Sequence, residues 1–231
     1  MRFKKNLVEF FAGSRSVGKE AEKLGFKVFS TDIKDFGNID YEVNILRFDT
    51  NKIPFTYPRV LWFSPLCTGF SVASIGTHWI GGPRGYIPAT KTAKKGIRIV
   101  KKCLRIIKQL EDKNPGSKLY WYIENPRGML RKMPFMEGIG FHHTIWYCRY
   151  GDMRAKPTDI WTNNPNWIPR APCKNHRYDS NGNIINRSCH HESARRGAKT
   201  GTQGLKNNHE RSKIPSELCK EILLSTINHS V

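Results

Sequence analysis

Long apolar runs are missing from this sequence of 231 residues, and cysteines are few. No segment approaches the roughly 18 consecutive apolar residues that a membrane-spanning helix needs, so we expect no membrane partner. Six cysteines do not make a dense disulfide framework in a chain of this size, so we expect reduced thiols inside a cell. The basic start leads into a strand-like run that contains Glu9, which is not expected of a signal peptide.

Acidic residues are also scarce, since 19 Asp and Glu stand against 39 Lys and Arg. The formal net charge of +20 favours a polyanionic partner, and nucleic acid is the commonest one. A basic soluble enzyme or a basic assembly protein is the alternative that charge alone leaves open.

Apolar residues make up 38% of the sequence, which is enough for the core of one domain of ordinary size. Apolar residues at helical spacing predict a long helix over 90–112, and a shorter helix is predicted within 13–25. Strands are predicted at 7–12, 26–31, 59–63, 118–123, 143–148 and 158–162. Strands that alternate with helices indicate an α/β fold built on a mainly parallel sheet.

Four residues with distinctive chemistry follow the predicted strands: Gly13, Asp32, Cys67 and Glu124. In parallel sheets, ligands bind beyond the carboxyl ends of the strands. A glycine turn after a strand, with an acid after the next strand, is typical of proteins that bind a dinucleotide or S-adenosylmethionine. An ordinary tight turn is the alternative, and the GxGxxG form expected of NAD enzymes is absent.

Cys67 and Glu124 are more informative together than apart. Alone, Cys67 could be a small buried hydrophobic residue, and Glu124 could cap a helix. Both are predicted at sheet ends on either side of one long helix, where an acid and a thiol suit addition to an electron-poor ring. We therefore interpret Cys67 as a nucleophile.

These residues lie in motifs that resemble those of the DNA cytosine-5 methyltransferases, in a compact form of the kind carried by phages. The similar motifs are EFFAGSRSVG (9–18), Asp32, NIL (44–46), SPLCTGFS (64–71), IENPRG (123–128), DMRAK (152–156) and SKIPSELCKEIL (212–223). The resemblance covers most of 7–162 and the C-terminal helix, and the order of the motifs makes it specific. Four residues depart from the family pattern: Arg15 replaces a glycine, Asn44 an aspartate, Leu66 a proline and Lys156 an arginine.

The resemblance implies a Rossmann-like fold that binds S-adenosylmethionine and a role for each matching residue. Cys67 would attack C6 of a cytosine that is flipped out of the duplex, and Glu124 would contact N3 and the exocyclic amine. Arg154 would hold the base carbonyl or a phosphate, with Lys156 assisting. The cofactor would be held by Phe11, Ala12, Gly13, Ser14, Asp32, Ile33, Asn44, Ile45 and Pro65.

The composition changes after Trp161, where Lys, Arg, Asn and Gly become frequent and apolar residues become rare. We therefore expect a catalytic domain over 1–162, a small basic recognition segment over 163–212, and a C-terminal helix within 213–231 that returns to the catalytic domain. The residues expected to bind double-stranded DNA are Ser71, Arg195, Arg196, Lys199, Thr200 and Gln203. A monomer in the cytoplasm of a bacterial or phage-infected cell is the expected form.

The basic segment also contains candidate ligands for a metal. Cys173, His176, Cys189 and His190, or His191 in its place, could form a tetrahedral zinc site in a segment that has little core of its own. Their spacing is irregular for a zinc finger, however. This irregularity favours the alternative of four polar residues in a loop that contacts DNA.

Two other functions stay open at the level of the sequence. Methylation of cytosine in RNA is one, since tRNA methyltransferases with this scaffold and nucleophile exist. A DNA-binding relative without catalytic activity is the other, although the presence of both Cys67 and Glu124 argues against it.

Overall fold

The structure is a computed structural model that describes residues 4–72, 75–82, 85–113, 115–116, 118–173, 177–178, 180–181, 184–186, 189–191 and 207–227. Its central strands are β1 (Asn6–Phe10), β2 (Lys27–Asp32), β3 (Tyr41–Glu42), β4 (Val60–Phe63), β7 (Tyr120–Pro126), β8 (Phe141–Trp146) and β9 (Pro157–Thr162). Outside them lie two short pairs, β5 (Trp79–Gly82) with β6 (Gly85–Pro88) and β10 (Arg177–Tyr178) with β11 (Ile184–Asn186). The central strands form one seven-stranded sheet in the order β3-β2-β1-β4-β7-β9-β8.

The direction of the strands confirms the predicted fold class. All pairs among β3, β2, β1, β4 and β7 are parallel, whereas β9 runs antiparallel to both β7 and β8. Strand β4 is buried throughout and apolar throughout, as expected of a strand covered on both faces. A mainly parallel sheet with one antiparallel strand next to its edge is the Rossmann-like methyltransferase fold that the resemblance implies.

Helices cover both faces of this sheet. The helices are α1 (Ser16–Lys23), α2 (Ile75–His78), α3 (Lys91–Lys113), α4 (Asn208–Ser212) and α5 (Ser216–Ser225). Because neighbouring residues of a strand point to opposite faces, Leu7 packs in one core with residues of α1 and α5, and Val8 packs in the other with residues of α3. The C-terminal helix α5 thus lies against α1, next to the turn that follows β1.

Helix α3 has one apolar and one basic side. It was predicted over 90–112 and spans Lys91–Lys113. Val100, Ile107 and other apolar side chains are buried against the sheet, while Lys94, Lys101 and Lys108 are exposed on the opposite side. This helix leaves a stripe of positive charge on the surface.

Several elements differ from the sequence prediction. Strand β1 ends at Phe10 rather than at residue 12, because Phe11 has a positive φ of 57°, which lies outside the β region. Strand β3 and the β5–β6 hairpin were not predicted, since β3 has two residues and the hairpin contains glycines and a proline that obscure any alternation. Among the described residues, no helix is both long and apolar enough to cross a membrane.

A buried carboxylate fixes the start of α1. Glu9 is 2% exposed in the centre of β1, and it accepts hydrogen bonds from the backbone N–H groups of Val17 at 3.1 Å and Gly18 at 2.9 Å. These are N–H groups of the first turn, which have no partner within the helix. Burial nevertheless raises the pKa of Glu9 from 4.5 to about 7.

We expect this carboxyl group to make stability fall as pH rises. Between pH 4.5 and about 7, Glu9 is protonated in the folded chain and ionised in the unfolded chain, so its contribution is lost as pH passes the folded pKa. Between pH 5.5 and pH 8 the loss should amount to about 2 kcal/mol. Urea unfolding of the wild type and Glu9→Gln at pH 5.5 and 8 measures it, and an equal pH dependence in both proteins would contradict the assignment.

Candidate active site

Four neighbouring strands end at one level of the sheet. In the register of β2, β1, β4 and β7, the residues that precede Asp32, Phe11, Ser64 and Glu124 are paired with one another. These four residues therefore lie side by side at the carboxyl edge, where α/β proteins bind ligands. Cys67 follows three residues after Ser64, so the structure brings the predicted cofactor residues and the predicted nucleophile loop to the same edge.

Asp32 and Gly13 are in direct contact at this edge. The Gly13 N–H donates to Oδ2 of Asp32 at 3.0 Å, and the Ile33 N–H donates to Oδ1 at 2.6 Å. Partial burial raises the pKa of Asp32, although both hydrogen bonds act in the opposite direction. Gly13 has a φ of +47°, a left-handed conformation that glycine adopts without strain.

The other residues of this turn also surround the start of α1. Ala12 is buried, and Phe11 is half-buried. Ser14 Oγ lies 2.8 Å from Ser16 Oγ, which in turn accepts a hydrogen bond from the Ile214 N–H at 3.2 Å. The C-terminal motif therefore contacts the predicted cofactor turn.

The predicted adenine-binding residues have different surroundings. Ile33 is 53% exposed and offers an apolar surface beside Asp32, whereas Ile45 is buried in the core. Asn44 caps a 3₁₀ turn, because its Oδ1 accepts a hydrogen bond from the Leu46 N–H at 3.0 Å. The structure therefore places Asn44 and Ile45 in structural contacts, with Ile33 open to a ligand.

The Cys67 loop is held by residues of the glutamate motif. Asn125 Nδ2 donates to the Pro65 carbonyl at 3.0 Å in a buried position. A β-carbon on Gly128 would lie 2.1 Å from the Phe70 carbonyl, so only glycine permits the observed approach of the two loops. Cys67 is exposed as a whole residue, although neighbouring protein atoms surround its thiol.

Glu124 lies in a buried polar group with Tyr147 and Lys156. Its Oε1 accepts a hydrogen bond from the Tyr147 hydroxyl at 3.0 Å, and Lys156 Nζ lies 3.9 Å from the same oxygen. Lys156 Nζ also lies 4.4 Å from the centre of the Tyr147 ring. Tyr147 was not predicted as a site residue, because an aromatic residue at the end of an apolar strand is typical of a core.

The charges around Cys67 act in opposite directions on its thiol. The surrounding protein desolvates the thiol, and together with the Glu124 carboxylate it raises the pKa of Cys67; the cations Lys156 and Arg211 lower it. Burial lowers the pKa of Lys156. The pKa of the thiol is therefore raised on balance, and its reactivity depends on the opposing effects of the anion Glu124 and the cations Lys156 and Arg211.

Arg154 occupies a different place from Lys156. Its guanidinium forms an ion pair with the Asp152 carboxylate and donates to the backbone carbonyls of Glu210, Arg211 and Lys213 at 3.1–3.3 Å. It is 7% exposed. Among the two cations of the motif, Lys156 faces the Glu124 group, while Arg154 joins its own loop to the segment before α5.

The expected DNA-binding residues fall largely outside the described part of the chain. Arg195, Arg196, Lys199, Thr200 and Gln203 lie outside the described residues. Ser71 is half-buried and forms a short backbone bridge with residue 128.

The predicted metal ligands are corrected in part by the structure. Cys173 and Cys189 lie close together, but their neighbours are Cys148 and His191. His190 is not in this group, because its Nε2 lies 3.1 Å from the Asp152 carbonyl. His176 lies outside the described residues.

Comparisons with known proteins find similar folds and no sequence relative. No family model matches the chain, and no curated protein matches it significantly. The similar solved structures include the methyltransferase EhMeth of Entamoeba histolytica, which is 12% identical with a TM-score of 0.49. They also include a mutant of DNMT2 from Spodoptera frugiperda, which is 16% identical with a TM-score of 0.43. The Dnmt2 methyltransferase of S. pombe is 10% identical with a TM-score of 0.42.

The similarity extends over most of this chain but only part of the others. It covers 74%, 73% and 71% of this chain, and 57%, 55% and 53% of the respective structures. The chain thus spans a little over half the length of each. A likeness at these identities concerns the fold alone.

Opposite effects on Cys67 are expected from two substitutions around it. Glu124→Gln removes the anion that raises the thiol pKa, and should speed alkylation of Cys67 by iodoacetamide at pH 8. Lys156→Met should slow it, because a cation that lowers the pKa is lost. A change of one pKa unit alters the thiolate fraction about tenfold.

Mass spectrometry of tryptic peptides would follow alkylation at Cys67, with the buried Cys103 as internal reference. Alkylation of the wild type should rise steadily between pH 7 and 9. Equal rates for both variants would show that Glu124 and Lys156 do not act on this thiol.

Proposed function

We propose that this protein is an S-adenosylmethionine-dependent cytosine-5 methyltransferase that acts on double-stranded DNA. The observation that carries the proposal is that the Cys67 loop is bonded to the motif that carries Glu124, on the same sheet edge as Gly13 and Asp32. This arrangement combines a nucleophile, a buried acid and a cofactor turn. A passive DNA-binding protein requires neither of the first two.

The residues at the edge of β1 and β2 fit the proposed cofactor. The half-buried Asp32 carboxylate can accept hydrogen bonds from ribose hydroxyls, and the exposed Ile33 side chain can cover an apolar ring. Gly13 brings its backbone to the ligand without a side chain in the way. When bound, S-adenosylmethionine supplies an electrophilic methyl group.

Cys67 and Glu124 would activate the cytosine together. C5 is a weak nucleophile until Cys67 Sγ, as thiolate, forms a bond to C6 and displaces the electrons of the C5–C6 double bond toward N3. Glu124 would stabilise the charge there by donating a proton to N3, and would take that proton back when the thiolate leaves. C5 could then accept the methyl group, which would leave the sulfonium as its demethylated thioether. The C5 proton would be lost to solvent, and the C6–Sγ bond would break to return the thiolate.

Lys156 and Tyr147 would set the charge of Glu124 during this step. The ammonium group offsets negative charge on both the carboxylate and the thiolate, and the Tyr147 hydroxyl fixes the orientation of the carboxylate. Arg154 is a positioning residue in this proposal, because its guanidinium is engaged by Asp152 and three backbone carbonyls.

Positive charge supports a nucleic acid as the substrate. The net charge is +20, and the exposed side of α3 carries a stripe of lysines. Contacts of this kind with phosphates do not depend on base sequence. A duplex would have to release the target base into the edge beside Cys67.

A DNA duplex with 5-fluorocytosine should trap the enzyme covalently through Cys67. Fluorine at C5 cannot leave as a proton does, so the methylated adduct persists. Cys67→Ser should form no adduct and transfer no methyl group, while it binds DNA much as the wild type does. An adduct on another cysteine, located by mass spectrometry, would refute the assignment of the nucleophile.

A methyl-transfer assay separates DNA from RNA as the substrate. Transfer of radioactive methyl groups should occur with duplex DNA and not with tRNA, and bisulfite sequencing of DNA from expressing cells would locate the modified cytosines. Transfer to tRNA alone would replace DNA with RNA in the proposal and leave the chemistry unchanged.

Loss of the Asp32 carboxylate should weaken cofactor binding. We expect calorimetry to detect binding of S-adenosylmethionine with a dissociation constant on the micromolar scale, which corresponds to a binding free energy of about −8 kcal/mol. Asp32→Ala should cost about 1.5–3 kcal/mol, because it removes hydrogen bonds to a charged group. Asp35→Ala, on the exposed loop after β2, is the matched control and should bind as the wild type does. No binding by the intact wild type would rule out the proposed cofactor.

A further inference from the structure

Four potential metal ligands from separate parts of the chain meet beside the candidate active site. Cys148, Cys173, Cys189 and His191 place one ligand atom each within 4.8 Å of all the others. Cys148 belongs to the 3₁₀ turn Tyr147–Tyr150 after β8, and the other three belong to the basic segment. We refer to these four residues as the Cys₃His cluster.

The spacing of the Cys₃His cluster suits a tetrahedral metal ion. Zinc binds sulfur at about 2.3 Å and imidazole nitrogen at about 2.0–2.1 Å, which sets neighbouring ligand atoms of a tetrahedron about 3.5–3.8 Å apart. Cys173 Sγ lies 3.6 Å from His191 Nδ1. All of these cysteines are free thiols, so the cluster is not closed by a disulfide.

The cysteines of the cluster are not part of an apolar core. Cys103 and Cys219 pack within the two hydrophobic cores of the sheet, as buried cysteines usually do. Cys148 and Cys173 are buried to a similar degree, at 2% and 7% exposure, but they belong to neither core. Instead, the thiols of both lie within 4.8 Å of the other ligand atoms of the cluster.

We propose that the Cys₃His cluster binds one Zn²⁺ ion that fastens the basic segment to the catalytic domain. Three thiolates and one imidazole form a closed set of four ligands, which is typical of a structural zinc site. Between residues 173 and 212, the described part of the segment forms only the short strands β10 and β11 and the five-residue helix α4. Metal binding supplies folding energy in such segments.

The site also adjoins the residues proposed for catalysis. Tyr147, the neighbour of Cys148, donates to Glu124. His190, the neighbour of His191, contacts the Asp152 carbonyl, and the Asp152 carboxylate holds Arg154. The metal would therefore fix the segment against the loop that carries Arg154 and Lys156.

Metal analysis of the purified wild type tests the proposal independently of methyl transfer. Protein expressed with zinc and purified under reducing conditions should contain one zinc per chain by mass spectrometry of the metal. Replacement by Co²⁺ should give a thiolate-to-cobalt charge-transfer band and strong visible bands typical of tetrahedral coordination. These two measurements need no variant to fold.

Adjacent residues supply the matched variants. His191→Ala should lower the affinity for zinc at least tenfold in competition with a chromophoric chelator, whereas His190→Ala should retain wild-type affinity. Cys148→Ala should lose zinc, and Cys219→Ala, which changes a core cysteine, should keep it. Removal of zinc from the wild type should speed proteolysis within 163–212 and leave the sheet intact by circular dichroism.

Several results would overturn the proposal. Wild type without zinc and without a tetrahedral cobalt spectrum would do so, as would an intact disulfide between two cysteines of the cluster in freshly purified protein. If His190→Ala lost zinc and His191→Ala kept it, the ligand would be His190, and the proposed set of four residues would be wrong. Failure of methyl transfer, by contrast, would leave the zinc content unchanged.

Discussion

The approach of the Phe70 carbonyl to Gly128 decides the geometry of the candidate site. The carbonyl accepts a hydrogen bond from the Met129 N–H at 2.7 Å, and any β-carbon at 128 would overlap it. Together with the buried bond from Asn125 to the Pro65 carbonyl, this contact joins the end of β4 to the end of β7. These two contacts hold the Cys67 loop against the strand that carries Glu124 without a bound substrate.

The charges at this edge are stabilised by one another rather than by water. Glu124 and Lys156 are both shielded from solvent, and burial of either one alone would carry a large desolvation cost. Their mutual attraction and the Tyr147 hydroxyl offset part of that cost. Glu124 raises the pKa of the Cys67 thiol and Lys156 lowers it. A substrate that takes a proton or a hydrogen bond from Glu124 would therefore also change the pKa of the thiol.

Local sequence predicted the sheet and its edge because those features depend on short-range patterns. Val60–Phe63 is apolar because both faces of β4 are covered. Asp32 ends the strand β2, and Glu124 follows the buried residues 120–123 of β7. The roles of Arg154 and Tyr147 depend on contacts with residues distant in the chain, which periodicity does not encode. Cys148 was missed for the same reason, since its partners follow 25 to 43 residues later and its own surroundings are a strand end.

The segment before α5 closes the site from the far end of the chain. Arg154 binds its carbonyls at 210–213, and the Ile214 N–H binds Ser16 at the start of α1, so the same few residues contact both the acid half and the cofactor half of the edge. Helix α5 then packs against α1 and anchors this connection in the core. A displacement of the part of the basic segment that precedes residue 210 would therefore reach both halves together. The Cys₃His cluster joins that segment to Cys148 in the catalytic domain. A metal bound there would therefore influence the position of the residues at the sheet edge without any contact with the substrate.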